Sequence, residues 1–310
     1  MRVLTQVGGR NVDAIAAVHP SIEVEVVPTE GQVDHIGDAD VLLVGHGSEA
    51  VSALARKVPW VQVFGTGVDS LPADVFEDGR VVTCARGAGA IPISEFVLAT
   101  MLAFEKHLPD VWIEAPPKVW GWEPLGGLHG RTVGIIGMGS IGSAVAERAV
   151  AFGCDVVGLR RHHGPSPVAG ARVGASLDDV VRQADHLVVA APATAETVGL
   201  LDERVFALVK PGVHLVNIAR GSLVDQEALR AALDDGRVAM ASLDVVDPEP
   251  LPTGHWLYTH PKVRVSAHVS WSSPALTTRI VEHFCDNLRA RLSGTPLDQL
   301  HGVVDAAARY

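Results

Sequence analysis

The stretch TVGIIGMGSIGSAVAERAVAFG, from Thr132 to Gly153, constrains the fold more than any other part of the chain. It begins with a continuous apolar run, the pattern of a strand buried on both faces and therefore of a parallel sheet covered by helices. Gly137, Gly139 and Gly142 follow in a G-x-G-x-x-G spacing. Ile141, Val145, Ala149 and Phe152 then recur at helical spacing, and Gly153 stops the helix. Such a strand–turn–helix unit needs its first glycine for a tight turn. The second lets the backbone approach a pyrophosphate, and the third lets helix and strand pack closely. The free N–H groups of the helix then face the negative charge. The segment predicts a dinucleotide site.

The rest of the chain alternates in the same way. RVLTQV, IEVEVV, DVLLVG and VQVFGTG read as strands separated by helical segments such as EAVSALARKV. A long helix, IPISEFVLATMLAFEKHLP, leads into a Trp- and Pro-rich loop, VWIEAPPKVWGWEPLGGLHG. A second alternating series runs from RTVGIIG through DVVGL, HLVVAA, VHLVNIA and VAMASLDV to VRVSAH, before a last helix at about 274–292. With 310 residues, two lobes are expected rather than one core. The expected architecture is α/β, with two Rossmann-like lobes of parallel strands and crossover helices. A dinucleotide lobe at 97–282 is inserted into a lobe made of 1–96 and 283–310.

At the end of the strand after the glycine turn stands VVGLRRHH. An acidic residue there would hold the ribose hydroxyls and repel a 2′-phosphate. Arg160 instead offers a planar fork of donors, with Arg161 and His162 in support. The position therefore predicts NADPH over NADH, with NAD still possible. The block stands out because the net charge is -11, which disfavours a nucleic-acid partner.

Three more segments follow predicted strands and so lie at the carboxyl edge of the second sheet, where ligands bind in open α/β folds. They are NIARGSLVDQEAL, ASLDVVDPEPLP and VRVSAHVSWSSP, and from them Arg220, Glu249 and His268 stand out as candidates. An arginine can hold a carboxylate and polarise a neighbouring carbonyl. A histidine can carry a proton near neutral pH, and a carboxylate beside it fixes its ring.

Over essentially its whole length the chain resembles the D-2-hydroxyacid dehydrogenase family. The resemblance rests on FGTGVDSL, ARGAGAIPISEFVLATMLA, LHGRTVGIIGMGSIG, NIARGSLVDQEAL, LDVVDPEPLP, SAHVSW and PLDQLHGVVDAAARY, in that order. It implies that Arg220 binds substrate, Glu249 pairs with the histidine, and His268 is the acid/base. It also places Ser140, Ile141, Pro192, Thr197, Ile218, Ala219 and Asp244 beside the cofactor, together with the glycines, the basic block, Arg220 and His268. The substrate is expected near His46, Gly47, Gly65, Thr66, Gly67, Arg220, His268 and Trp271, although His46, Arg86 and Trp271 receive no definite role. The implied reaction moves a hydride between NADPH or NADH and a small 2-oxo acid of the glyoxylate or hydroxypyruvate type. Alternatives are the phosphite or formate dehydrogenase branches, the latter disfavoured by Glu249, and a dinucleotide-sensing regulatory protein. The resemblance further implies a homodimer, with Trp112 to Trp122 as apolar anchors.

Cys84, Cys154 and Cys285 form no CxxC pair and read as free thiols; no metal site is expected. The chain shows no secretory pattern and no apolar run of membrane-spanning length, so a cytoplasmic protein is expected.

Overall fold

The computed structural model describes every residue except His46, Gly47, Glu49, His162 and His163. The chain forms two compact units, residues 1–89 with 273–310 and residues 90–272, so the second is inserted into the first. These divisions fall earlier than those expected at 96 and 282. Both expected positions cut through a helix, and a rigid helix stays with one core.

The first unit holds β1 (Arg2–Thr5), β2 (Glu23–Val26), β3 (Val41–Val44), β4 (Trp60–Val63) and β5 (Val81–Cys84). They form one parallel sheet in the order β2-β1-β3-β4-β5. Helices α1 (Arg10–Ala16) and α2 (Val51–Ala55) cross between strands. Leu42, Val44, Val61 and Leu54 fill one face. Val3, Val41, Leu43 and Trp60 fill the other, against residues 281, 284, 285 and 288 of the final helix. The Trp60 indole N–H donates to Thr83 Oγ1 at 2.7 Å, which satisfies its polar atom within the core.

The second unit begins with α3 (Ala90–Glu105), whose Pro92 sits in the first turn, where a missing N–H breaks no helical bond. Residues 106–131 follow without regular strands or helices. Then come β6 (Thr132–Ile136), α4 (Ser140–Ala151), β7 (Asp155–Leu159), β8 (Ala171–Val173), α5 (Leu177–Gln183), β9 (His186–Val189) and α6 (Glu203–Phe206). The unit is completed by β10 (Val213–Asn217), α7 (Gln226–Asp234), β11 (Val238–Leu243) and β12 (Val263–Val265). The helix α8 (Leu276–Leu292) returns the chain to the first unit. All seven strands are parallel, in the order β12-β11-β10-β9-β6-β7-β8. The order reverses between β6 and β9, the topological switch point where such sheets open a crevice at their carboxyl ends. Leu187, Leu215 and Phe206 pack on one face; Val145, Val188, Val216 and residues of α3 pack on the other. β8 was not foreseen, because three residues carry too little periodicity to read.

All three cysteines are buried and unpaired. No helix among the described residues is long and apolar enough to cross a membrane, and no group of three or more metal-ligating side chains is found among them.

Candidate active site at the carboxyl edge of the second sheet

The glycine turn sits where β6 meets α4. Gly137 has a φ of 104°, and a Cβ there would lie 2.6 Å from the Ala191 nitrogen. At Gly142 a Cβ would lie 2.0 Å from the Gly137 carbonyl oxygen. A side chain at Gly137 would push the turn off the segment that follows β9, and one at Gly142 would push α4 off the turn. At Gly139 a Cβ would meet nothing within 4 Å, and no side chain caps α4. Open space thus lies before free helical N–H groups, the cradle that a pyrophosphate requires. Ser140 and Ile141 form the first turn of α4.

The Leu159 carbonyl at the end of β7 accepts the N–H groups of Gly137 and Met138, at 3.1 and 3.0 Å. This brings the next residue, Arg160, beside the glycine turn. Its guanidinium donates to the Pro165 carbonyl at 2.7 Å. Arg161 reaches Glu196 only at 3.9 Å, on the surface. His162 lies outside the described residues. Beyond β9, the Thr197 hydroxyl donates to the Pro192 carbonyl at 2.7 Å and closes the loop that carries both. Ile218 and Ala219 are buried directly after β10.

Arg220, Glu249 and His268 come from the loops that follow β10, β11 and β12, three neighbours in the sheet. The Arg220 guanidinium donates to its neighbour, the Ala219 carbonyl, at 2.7 Å. Asn217 shapes that loop by accepting the Ala219 N–H at 3.0 Å and donating to the Arg220 carbonyl at 2.9 Å. A Cβ on Gly221 would lie 2.0 Å from the Val246 carbonyl carbon, so only glycine lets this loop approach the loop carrying Glu249. That loop is pinned in turn by the Val246 N–H, which donates to Glu249 Oε1 at 3.1 Å. Glu249 Oε2 lies 2.9 Å from His268 Nδ1. A carboxylate is an acceptor, so Nδ1 carries the hydrogen and Nε2 is left available for another partner. Both side chains are partly exposed.

Asp244, directly after β11, is almost wholly buried. It accepts the Ser266 hydroxyl at 2.6 Å and the N–H groups of Val269 and Ser270 at 2.9 Å each. Burial alone would raise its pKa, but these donors outweigh that and hold it below the ordinary carboxylate value. Trp271 stands half-exposed three residues beyond His268. In the first unit, the Gly65 carbonyl accepts the Ala85 N–H at 2.7 Å, and the Thr66 hydroxyl donates to the Ala85 carbonyl at 3.3 Å; Gly67 follows in the same loop. His46 and Gly47 lie outside the described residues. Arg86 donates to the Val303 carbonyl at 3.1 Å.

Sequence reading missed Ser266 and Ser270, since serines in a loop carry no signal until their acceptor is placed. It also missed a buried chain behind the sheet. Arg131 Nε lies 3.2 Å from Glu105 Oε1, which lies 3.1 Å from His186 Nε2. His186 Nδ1 meets His214 Nδ1 at 3.1 Å, and His214 Nε2 meets Ser242 Oγ at 3.0 Å. The available signal was a histidine at matching places in two apolar strands, HLVVAA and VHLVNIA.

Residues 98–270 match the model of the D-isomer specific 2-hydroxyacid dehydrogenase NAD binding domain. The chain is 35% identical over 268 residues to a D-3-phosphoglycerate dehydrogenase of Mycobacterium tuberculosis, an alignment covering 84% of this chain and 50% of that one. It thus spans about half the length of these curated relatives. It is 32% identical to glyoxylate/hydroxypyruvate reductase B of Pectobacterium atrosepticum, over 81% of this chain and 82% of the other. Two solved structures share the fold over nearly all of the chain. A D-isomer specific 2-hydroxyacid dehydrogenase family protein from Aeromonas salmonicida has a TM-score of 0.82 at 29% identity, covering 98% of each chain. A D-isomer specific 2-hydroxyacid dehydrogenase from Xanthobacter autotrophicus, in complex with NADPH and MES, has a TM-score of 0.81 at 27% identity, covering 100% of this chain and 99% of the other. With more than half its length matched, the chain belongs to the D-isomer specific 2-hydroxyacid dehydrogenase family.

Proposed function

We propose that this protein is an NADPH-preferring oxidoreductase that interconverts a small 2-oxo acid, of the glyoxylate or hydroxypyruvate type, and its D-2-hydroxy acid. The observation that carries the reading is the 2.9 Å contact between Glu249 and His268 Nδ1, set one strand away from the loop of Arg220. A bound nicotinamide dinucleotide supplies the hydride in reduction and accepts it in oxidation. The chain's own residues do the rest. Arg220 holds the substrate carboxylate with its fork of donors and polarises the C2 carbonyl. His268 Nε2 gives its proton to the carbonyl oxygen in reduction and takes it back in oxidation. Glu249 keeps the ring in the required tautomer and orientation. Gly137, Gly139, Ser140, Ile141 and Gly142 would hold the pyrophosphate, and Pro192, Thr197, Ile218, Ala219 and Asp244 line the rest of the cofactor site.

The test is a panel of 2-oxo acids assayed with NADH and NADPH separately. NADPH should be consumed with at least one of them, and a protein that turns over none is not a 2-oxo acid reductase. A charge-assisted hydrogen bond to the 2′-phosphate contributes roughly 1.5–3 kcal/mol, about tenfold to over a hundredfold in affinity. Arg160→Asp should therefore move the preference toward NADH by that order. Equal kcat/KM for both cofactors in the unmodified protein would remove the basis for the assignment.

We also propose a cytoplasmic homodimer. The segment after α3 leaves Trp112, Trp120 and Trp122 more than 70% exposed beside a groove of about 1020 Å³ floored by Phe104, Met240 and Ser242. An apolar patch of this kind is characteristic of an interface. Sedimentation at micromolar concentration should give twice the chain mass, and Trp120→Asp combined with Trp122→Asp should shift it to monomer. A monomer in the unmodified protein would contradict the proposal.

A further inference from the structure

His268 has a φ of 53°, in the left-handed region that non-glycine residues rarely adopt. Such a conformation persists only where the surroundings over-determine it. Beside the Glu249 contact at the ring, one residue makes most of the bonds to this segment. Asp244 accepts bonds from four of the five residues 266–270. Its main-chain carbonyl takes the His268 N–H at 2.8 Å. Its carboxylate takes the Ser266 hydroxyl, the Val269 N–H and the Ser270 N–H. The strap therefore brackets His268 on both sides in sequence and fixes the direction in which its ring leaves the backbone.

We infer that Ser266 is a positioning residue for the proposed reaction: through Asp244 its hydroxyl holds the left-handed turn that presents His268 to Glu249 and the substrate. The inference rests on the catalytic reading of His268. Among the donors to the carboxylate, the Ser266 hydroxyl comes from the N-terminal side of His268, and Val269 and Ser270 donate from the C-terminal side. The Ser266 bond, at 2.6 Å, is also the shortest of the three. Without it a buried carboxylate has one charge-assisted bond fewer, and on the N-terminal side of His268 the strap keeps only the Ser266 N–H bond to the Leu243 carbonyl, at 2.9 Å. The turn can then relax to an ordinary conformation, which swings the ring off Glu249. A small misplacement of a proton carrier lowers turnover without touching the cofactor cradle.

Ser266→Ala should lower kcat for reduction about tenfold, and by more than it raises the NADPH dissociation constant. Ser266→Thr, which keeps the hydroxyl, should restore most of the loss. In a His268→Gln background the same Ser266→Ala exchange should cost nothing further, because its effect passes through His268. Unchanged kcat in Ser266→Ala overturns the inference while leaving the proposed function standing, and so does a full tenfold loss in the His268→Gln background. A second measurement is independent of turnover. The imidazole resonances of His268 should move in Ser266→Ala and return in Ser266→Thr. If the unmodified protein reduces no 2-oxo acid, the proposed function fails, and unmoved resonances then overturn the positioning role separately.

Discussion

Replacing His268 with glutamine should lower the rate of 2-oxo acid reduction by about 10²–10⁴-fold, the contribution of a general acid or base. Glutamine keeps a polar side chain of similar reach but can neither release nor take up a proton at Nε2. The cradle at Gly137, Gly139 and Gly142 spans the turn after β6 and the first turn of α4, away from the loops that follow β11 and β12. NADPH binding, followed by its fluorescence, should therefore change little. Reduction needs a proton on Nε2 and oxidation needs that nitrogen free, so the variant should lose rate in both directions. Arg220→Ala should behave differently, raising KM and lowering kcat together, since one guanidinium serves both the ground-state carboxylate and the polarised carbonyl. Near-normal turnover in His268→Gln with the best substrate found would show that another group moves the proton.

A second large effect should appear as acid sensitivity, and it originates far from the chemistry. Glu105 can only accept, so His186 carries a hydrogen on Nε2, and its neutral ring takes the His214 Nδ1–H on Nδ1. His214 Nε2 then accepts the Ser242 hydroxyl. Every polar atom of the pair is satisfied with both rings neutral. Adding a proton to each ring would set N–H against N–H. Burial, with His186 beside it, pushes the His214 pKa down to about 3. Burial also lowers that of His186, against the opposing pull of Glu105. Asp185 acts with Glu105 on His186, and Arg131 acts against them.

Both folded-state values lie below the ordinary histidine value, so the unfolded chain binds more protons than the folded one. Stability from the pair is then fully present above about pH 6.5 and is lost as pH falls toward 3. Between pH 8 and pH 5, His214 alone should cost about 2 kcal/mol, a sizeable part of a typical domain's stability. His186 adds in the same direction. Urea midpoints measured across this range should fall steeply in the unmodified protein and more gently in His214→Gln, even though that variant starts less stable. Parallel curves for the two proteins would mean that the pair does not carry the acid response.

The sequence by itself determined the local parts of this molecule. Continuous apolar runs specify buried parallel strands, helical spacing after Gly142 specifies α4, and the glycine spacing specifies a turn open to a pyrophosphate. Each of these depends on residues a few positions apart, where sterics and periodicity act directly. The loops of Arg220, Glu249 and His268 were legible as candidates for the same reason, since each directly follows a readable strand. Tertiary structure decided what depends on which strands become neighbours. His186 and His214 are 28 residues apart and meet only because β9 pairs with β10 in register. Asp244 and Ser266 are 22 apart and meet because β11 lies beside β12. The left-handed backbone of His268 follows from that second pairing and not from its own preference. A hydrogen bond between strands is a property of the register, and the register is set by packing over the whole sheet.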